Sequence, residues 1–147
     1  MLRFAAAVLG LAAVAVGCAL VAQNAPPGPL VTIETRGGEC PAGACKSLVL
    51  IERDGRVHRL APDVADMARV EPHVVAAIDA AIRATDFPAL RSRPFTGECP
   101  VNFDGQELIY TFTTPSGSER LASCEVELDP DHPLLVAVDA ALGGGPD

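Results

Sequence analysis

Four cysteines, Cys40, Cys45, Cys99 and Cys124, lie in a chain with little aromatic mass to pack around: its 147 residues include one tyrosine, five phenylalanines and no tryptophan. A small domain with so few large rings buries limited apolar surface, so cross-links carry much of its stability. Four cysteines permit three pairings, and spacing alone does not choose among them. The favoured pairing joins Cys40 to Cys45, because Pro41-Ala42-Gly43-Ala44 makes a short turn between them, and leaves Cys99 for Cys124. The second bridge closes a loop of about 25 residues and constrains the unfolded chain by roughly 3 kcal/mol in the entropy model. A metal centre is the rival use of the same residues. Cys-x4-Cys with a distant pair and three scattered histidines, His58, His73 and His132, lacks the Cys-x2-Cys spacing of structural zinc, so neither a metal nor a cofactor is expected.

The fifth cysteine, Cys18, is the odd one, and it ends an uncharged run. Met1-Leu2-Arg3 carries a single basic side chain, residues 4–16 are wholly apolar, and Ala15-Val16-Gly17-Cys18 resembles the lipobox of an export signal. A thiol in that context receives a diacylglycerol through a thioether and becomes the first residue of the mature chain. Two features depart from the pattern: Ala15 stands where leucine is usual, and residues 19–22 prolong the apolar run. An ordinary signal peptide cut after Ala15 or Gly17 therefore stays open, as does an uncleaved anchor over residues 4–22, which barely reaches the roughly 20 apolar residues of a span. All three readings expect an extracytoplasmic domain, either membrane-anchored or secreted. The expected organisation is a signal over residues 1–17, a tether over 18–29, one domain over 30–142 and a flexible tail over 143–147. The tether holds Pro26, Pro27 and Pro29, which remove donors and fix the backbone.

Removing residues 1–17 takes away Arg3 alone of the 11 basic side chains, so ten remain against 19 acidic ones, a net of −9. Such a balance repels nucleic acid and anionic lipid. Membrane contact is expected through the N-terminal lipid or anchor only.

Within the domain, Gly38-Glu39-Cys40-Pro41 recurs as Gly97-Glu98-Cys99-Pro100, and each copy precedes two strand-like runs and a helix-like run. Residues 46–52 alternate about Leu48 and Leu50, Arg53-Asp54-Gly55-Arg56 has turn chemistry, and 57–60 return. Residues 107–113 place Leu108, Tyr110 and Phe112 on one face, residues 114–118 turn, and 120–128 offer Ala122, Cys124, Val126 and Leu128. Pro72 and Pro133 open helices, since proline's missing donor is unpaired at the first helical position anyway. Val74, Val75, Ile78, Ala81 and Ile82 form one apolar stripe, and Leu134, Leu135, Val138, Ala141 and Leu142 the other. Residues 30–36 make a fifth strand, and residues 63–69 a short helical turn. The expectation is an α+β domain: a mainly antiparallel sheet of four or five strands with two helices on one face, in the order that tandem ββα units would produce.

Three places invite a functional reading. The richest is the loop over residues 91–106, whose Arg91, Arg93, Phe95, Asn102, Phe103, Asp104 and Gln106 surround Cys99 without regular periodicity. Long loops held by a covalent bond often carry binding residues. The competing reading has Phe95 and Phe103 plugging the core and Arg91 and Arg93 in surface ion pairs. The second place is Asp129-Pro130-Asp131-His132, which lacks the length, glycine and terminal glutamate of a calcium loop and reads as a cap for the last helix, through Asp131 or His132. The third is a hydrolytic constellation among Ser47, Ser92, Ser116, Ser118 or Ser123 and the three histidines. No serine sits in Gly-x-Ser-x-Gly, the cysteines are committed elsewhere, and carboxylates beside disulfides, such as Glu39 and Glu98, are usually just solvated. No catalytic residue is expected.

The stretches 37–45, 84–90 (Ala84-Thr85-Asp86-Phe87-Pro88-Ala89-Leu90) and 95–106, joined to a short export signal and a Pro-rich tether, resemble small bacterial lipoproteins or secreted proteins with no assigned activity. The resemblance implies a location and no chemistry. The functional expectation is a non-enzymatic envelope protein that binds another protein or a surface ligand through the 91–106 loop. The alternative is a secreted inhibitor of an extracellular hydrolase, and an enzyme of unknown class stands third.

Overall fold

The computed structural model describes residues 28–40, 43–67 and 69–143, the side chains of residues 40, 43 and 44 excepted. The signal, Cys18 and most of the tether lie outside the described residues, as does the tail beyond residue 143. Six strands, β1 (Pro29–Cys40), β2 (Gly43–Glu52), β3 (Val57–Ala61), β4 (Ala65–Asp66), β5 (Glu107–Thr114) and β6 (Gly117–Ala122), form one antiparallel sheet in the order β4-β3-β2-β1-β5-β6. Helices α1 (Pro72–Ala84), α2 (Phe87–Arg91) and α3 (Pro133–Ala141) and a 3-10 turn (Pro100–Phe103) complete the domain. The class is α+β as the pattern predicts, with six strands in place of four or five and with α2 as a third helix. None of the described helices is long and apolar enough to cross a membrane.

Strand alternation decides which face is dry. Opposite Val31 stand Ile51 of β2 and Phe112 of β5, and opposite Ile33 stand Val49 and Tyr110. These side chains form the core with Leu121, with Ile78 and Ile82 of α1, and with Leu134, Leu135 and Val138 of α3. The two helices pack on each other over that face. Both begin with proline at the first helical position, as expected. On the other face the same strands present Thr32, Glu34 and Arg36 beside Leu50, Leu48 and Lys46 on one side and Thr111, Ile109 and Glu107 on the other. The run through Leu48 and Leu50 is thus apolar on both faces, and the deeper pair is Val49 and Ile51.

Three expected elements end up different. The strand expected over 30–36 runs on to Cys40, because Gly37 and Gly38, both at positive φ, absorb an irregularity in the ladder and let pairing resume at Glu39. The strand expected over 120–128 ends at Ala122: the amides of Glu125 and Val126 both turn back to its carbonyl, so the ladder stops before Cys124. The helical turn expected over 63–69 is instead β4, where His58 and Arg59 pair with Asp66 and Ala65.

The two ββα runs are also not related by any rotation. β2 and β5 are parallel to each other, since both run antiparallel to β1, yet β3 and β6 lie on opposite outer sides of them. Turning one hairpin onto the other about the β1 direction would invert the sheet faces, whereas α1 and α3 share one face. The repeated Gly-Glu-Cys-Pro therefore marks no superposable pair of units.

Phe112 is fully buried between Tyr110 and Phe87, with ring centroids at 5.8 and 5.7 Å. Phe112→Ala should cost about 3–5 kcal/mol in urea unfolding; a loss below about 1 kcal/mol would contradict this packing. A second tie is polar. Arg53 donates to Asp79 of α1 (2.8 Å) and to the Thr113 carbonyl of β5 (3.2 Å), and Arg83 donates to the other Asp79 oxygen (2.7 Å). The bond from Arg83, joined by that from Arg53, outweighs partial burial and holds the Asp79 carboxyl below its ordinary range. A carboxyl depressed in the folded state contributes stability that is complete above its unfolded value, near pH 4, and is lost as pH falls through the lower folded value. Asp79→Asn should therefore destabilise the protein at neutral pH and flatten its acid limb below about pH 4, as read from urea midpoints across pH.

Candidate functional site

The 91–106 loop is built in two stretches, each fastened for its own reason. Asp86 caps α2 by accepting from the Ala89 amide (3.0 Å), and the helix ends at Arg91. The chain then lies antiparallel to residues 125–127: Phe95 donates its amide to the Glu125 carbonyl (3.1 Å), Glu127 donates to the Arg93 carbonyl (2.8 Å), and Pro94 bridges Val126. Cys99 is disulfide-bonded to Cys124, which closes this stretch against the end of β6. Of the two favoured pairings, this one is therefore present. Cys45 is also disulfide-bonded; the expected partner, Cys40, has its side chain outside the described ones.

Beyond Cys99 the chain makes a compact tip. Pro100 starts the 3-10 turn, Asn102 donates its amide to the Cys99 carbonyl (3.0 Å), Asp104 takes the left-handed conformation at φ 59°, and Gly105 closes the turn on the Pro100 carbonyl (2.8 Å). No other residue fits at Gly105, where a Cβ would lie 2.5 Å from that of Pro100. The tip rests on the β1 irregularity: a Cβ on Gly37 would meet the Val101 methyls at 2.8 Å, and one on Gly38 would sit 3.2 Å from the Asp104 carbonyl. Close backbone approach at these two glycines seats the tip.

The expected binding residues therefore separate into three groups. Arg91 is spent in an ion pair with Glu119. Phe95 is half-buried against Gly97, whereas Phe103 is 65 % exposed, so the core-plug reading fails for Phe103. Asn102, Asp104 and Gln106 are exposed beside Phe103, and Arg93 is exposed at the far end of the loop with no ion-pair partner among the described residues. Nearby, the nearly buried Glu107 carboxylate accepts from Arg36 (2.6 Å), and that pairing raises the Arg36 guanidinium further above its ordinary value. It anchors the strand into which the tip feeds.

Elsewhere the side chains are occupied by structure. His132 caps α3, its Nδ1 accepting from the Leu134 amide (3.2 Å), and Asp129 accepts from the Asp131 amide (3.0 Å). His58 sits 2.7 Å from Asp66 and 3.8 Å from Glu52. The Ser92 hydroxyl donates to the Ala89 carbonyl, and that of Ser123 accepts from the Leu108 amide. No serine meets a histidine among the described residues. Sequence reasoning placed Tyr110 in the core and missed that its ring also lines a cleft with Asp139; only the long-range docking of α3 brings these two together.

Compared with family models, curated proteins and solved structures, the chain matches none of them.

The Cys99–Cys124 bridge spans 25 residues. Its removal in a Cys99→Ser/Cys124→Ser double variant should cost about 3 kcal/mol in guanidinium unfolding and raise amide exchange first over residues 100–105. Unchanged exchange there would mean the tip is held by its glycines and turn alone.

Proposed function

We propose that the protein is an exported, membrane-tethered and non-enzymatic envelope protein whose domain binds another protein or surface ligand through the disulfide-fastened tip. The exposed Phe103 ring carries the reading: a large apolar side chain is presented to solvent on a turn that is closed by its own backbone bonds and begins beside a cross-link. Aromatic anchors of this kind dominate binding energy where they fill a partner's pocket, and a loop already ordered gives up little further entropy on binding. The Cys99–Cys124 disulfide is compatible with the extracytoplasmic location that the N-terminal residues suggest. On this reading Phe103 is the anchor, Asn102, Asp104 and Gln106 form its polar rim, Arg93 adds a separate charge, and Cys18 carries the lipid. The chain then belongs with the small bacterial lipoproteins it resembles.

A secreted inhibitor of an extracellular hydrolase is the second reading, favoured by the same observation, because rigid loops with one projecting side chain are how such inhibitors fill a substrate pocket. The test is a cross-linked pull-down from envelope and culture-fluid fractions with residues 23–147 as bait and Arg93→Ala/Phe103→Ala as control. A protein captured by the wild type and lost with the variant is the expected result, and a hydrolase inhibited at stoichiometric amounts would select the second reading. Equal capture by both baits would remove the tip from the binding surface.

A further inference from the structure

A cleft of about 370 Å³ opens between the end of β5 and α3, on the helix side of the sheet. Its walls are mostly apolar, from Leu108, Leu128 and Leu135, and three polar residues line the same space, Tyr110, Asp139 and Ser123. That volume is at the small end for a ligand site, and apolar walls with a few placed polar groups are the usual composition. Tyr110 is only 5 % exposed, yet its hydroxyl has no hydrogen-bond partner among the described residues. The hydroxyl is not itself sealed off, so it stands open to whatever occupies the cleft. The neighbouring Ser123 hydroxyl supplies no partner, being engaged by the Leu108 amide (3.0 Å).

Asp139 stands on the exposed side of α3 and has no cation beside it among the described residues, whereas Asp79 on α1 has two arginines. The phenol of Tyr110 is pushed up to about 12, by burial first and by the Asp139 charge second, so the carboxylate is close enough to be felt at the ring while the phenol stays protonated. The cleft thus offers a negative charge and a phenolic oxygen above an aliphatic floor.

We propose that this cleft binds a primary ammonium group carried on a short aliphatic chain. An ammonium has three donors and no acceptor, so it can donate at once to the Asp139 carboxylate and to the Tyr110 oxygen while its chain covers Leu108, Leu128 and Leu135. An anion would meet Asp139 with like charge. A neutral apolar molecule would strip water from the carboxylate without replacing it. The acidic balance of the chain, 19 carboxylate side chains against 11 basic ones, also raises the local concentration of cations. A free alkylamine and the lysine side chain of a partner protein share this chemistry. The site is separate from the Phe103 tip, and Phe103→Ala should leave it unchanged.

Tyr110 is the sole tyrosine and tryptophan is absent, so intrinsic fluorescence reports on this site alone. The experiment titrates n-pentylamine hydrochloride into the domain at pH 7, with sodium chloride and n-pentanol as controls and N-acetyl-lysine methylamide as a second probe. A saturable change with n-pentylammonium, absent with sodium chloride and about tenfold weaker or more with n-pentanol, is expected. Asp139→Asn should weaken n-pentylammonium binding by about tenfold or more with an unchanged thermal melt. Leu128→Phe, which fills the cleft without altering charge, should abolish the response. Equal or tighter binding of the lysine probe would assign the ammonium to a partner's side chain, and much weaker binding to a free amine. The proposal is overturned by a response that does not saturate, by n-pentanol acting as well as the amine, or by Asp139→Asn binding like the wild type.

Discussion

β1 is hydrogen-bonded along both edges, to β2 on one side and β5 on the other, and its register sets the rest of the domain. Because side chains alternate with a period of two, one step of slippage would exchange Val31 and Ile33 for Thr32 and Glu34 on the face that α1 and α3 cover. The polar face locks the same register. Arg36 stands opposite Glu107 of β5 and Lys46 of β2, and Lys46 reaches Glu34 at 3.2 Å. The exposed Lys46–Glu34 pair is weak by itself, but a slip would carry Glu34 from it into the core, where an unpaired carboxylate is costly. Apolar and charged residues of one strand therefore select a single alignment, and both hairpins inherit it.

Elements whose signals are local were legible in the sequence. The alternation of Leu108, Tyr110 and Phe112 gave β5 its inward face, and Pro72 and Pro133 marked helix starts that the apolar stripes then extended. Even α2 was open to reading, since Asp86 followed two positions later by Pro88 is a cap with proline in the first turn. What failed depended on partners outside the element itself, whether near or far along the chain. β4 exists because β3 offers it an edge, and β6 stops where Glu125 and Val126 fold back on Ala122. Phe95 and Phe103 look alike in sequence. They differ in exposure because Pro94 pairs with Val126, across 32 residues of chain, and draws Phe95 toward the domain. The location and binding role expected for the chain rest on its N-terminal residues, which lie outside the described ones, and on this loop.

The Gly-Glu-Cys-Pro echo takes its meaning from position. Its first copy reaches the end of β1 at Cys40, and its second supplies the cap position and first residue of the 3-10 turn. The first copy nonetheless sits against the turn that the second one opens, because the tip rests on Gly37 and Gly38, and a Cβ on Gly38 would lie 3.7 Å from the Cys45 sulfur. One end of the sheet thus gathers the tip, Cys45 and the glycines that permit close approach, with the Cys99–Cys124 bridge closing the stretch that leads to it. In a chain short of large aromatic residues, the rings are spent on the core, Tyr110 and Phe112 of β5 with Phe87 of α2 packed against Phe112. The end of the sheet is secured covalently instead. That division is what leaves Phe103 free of packing duty: held by backbone turns and a cross-link, the tip can expose its ring without loosening the core.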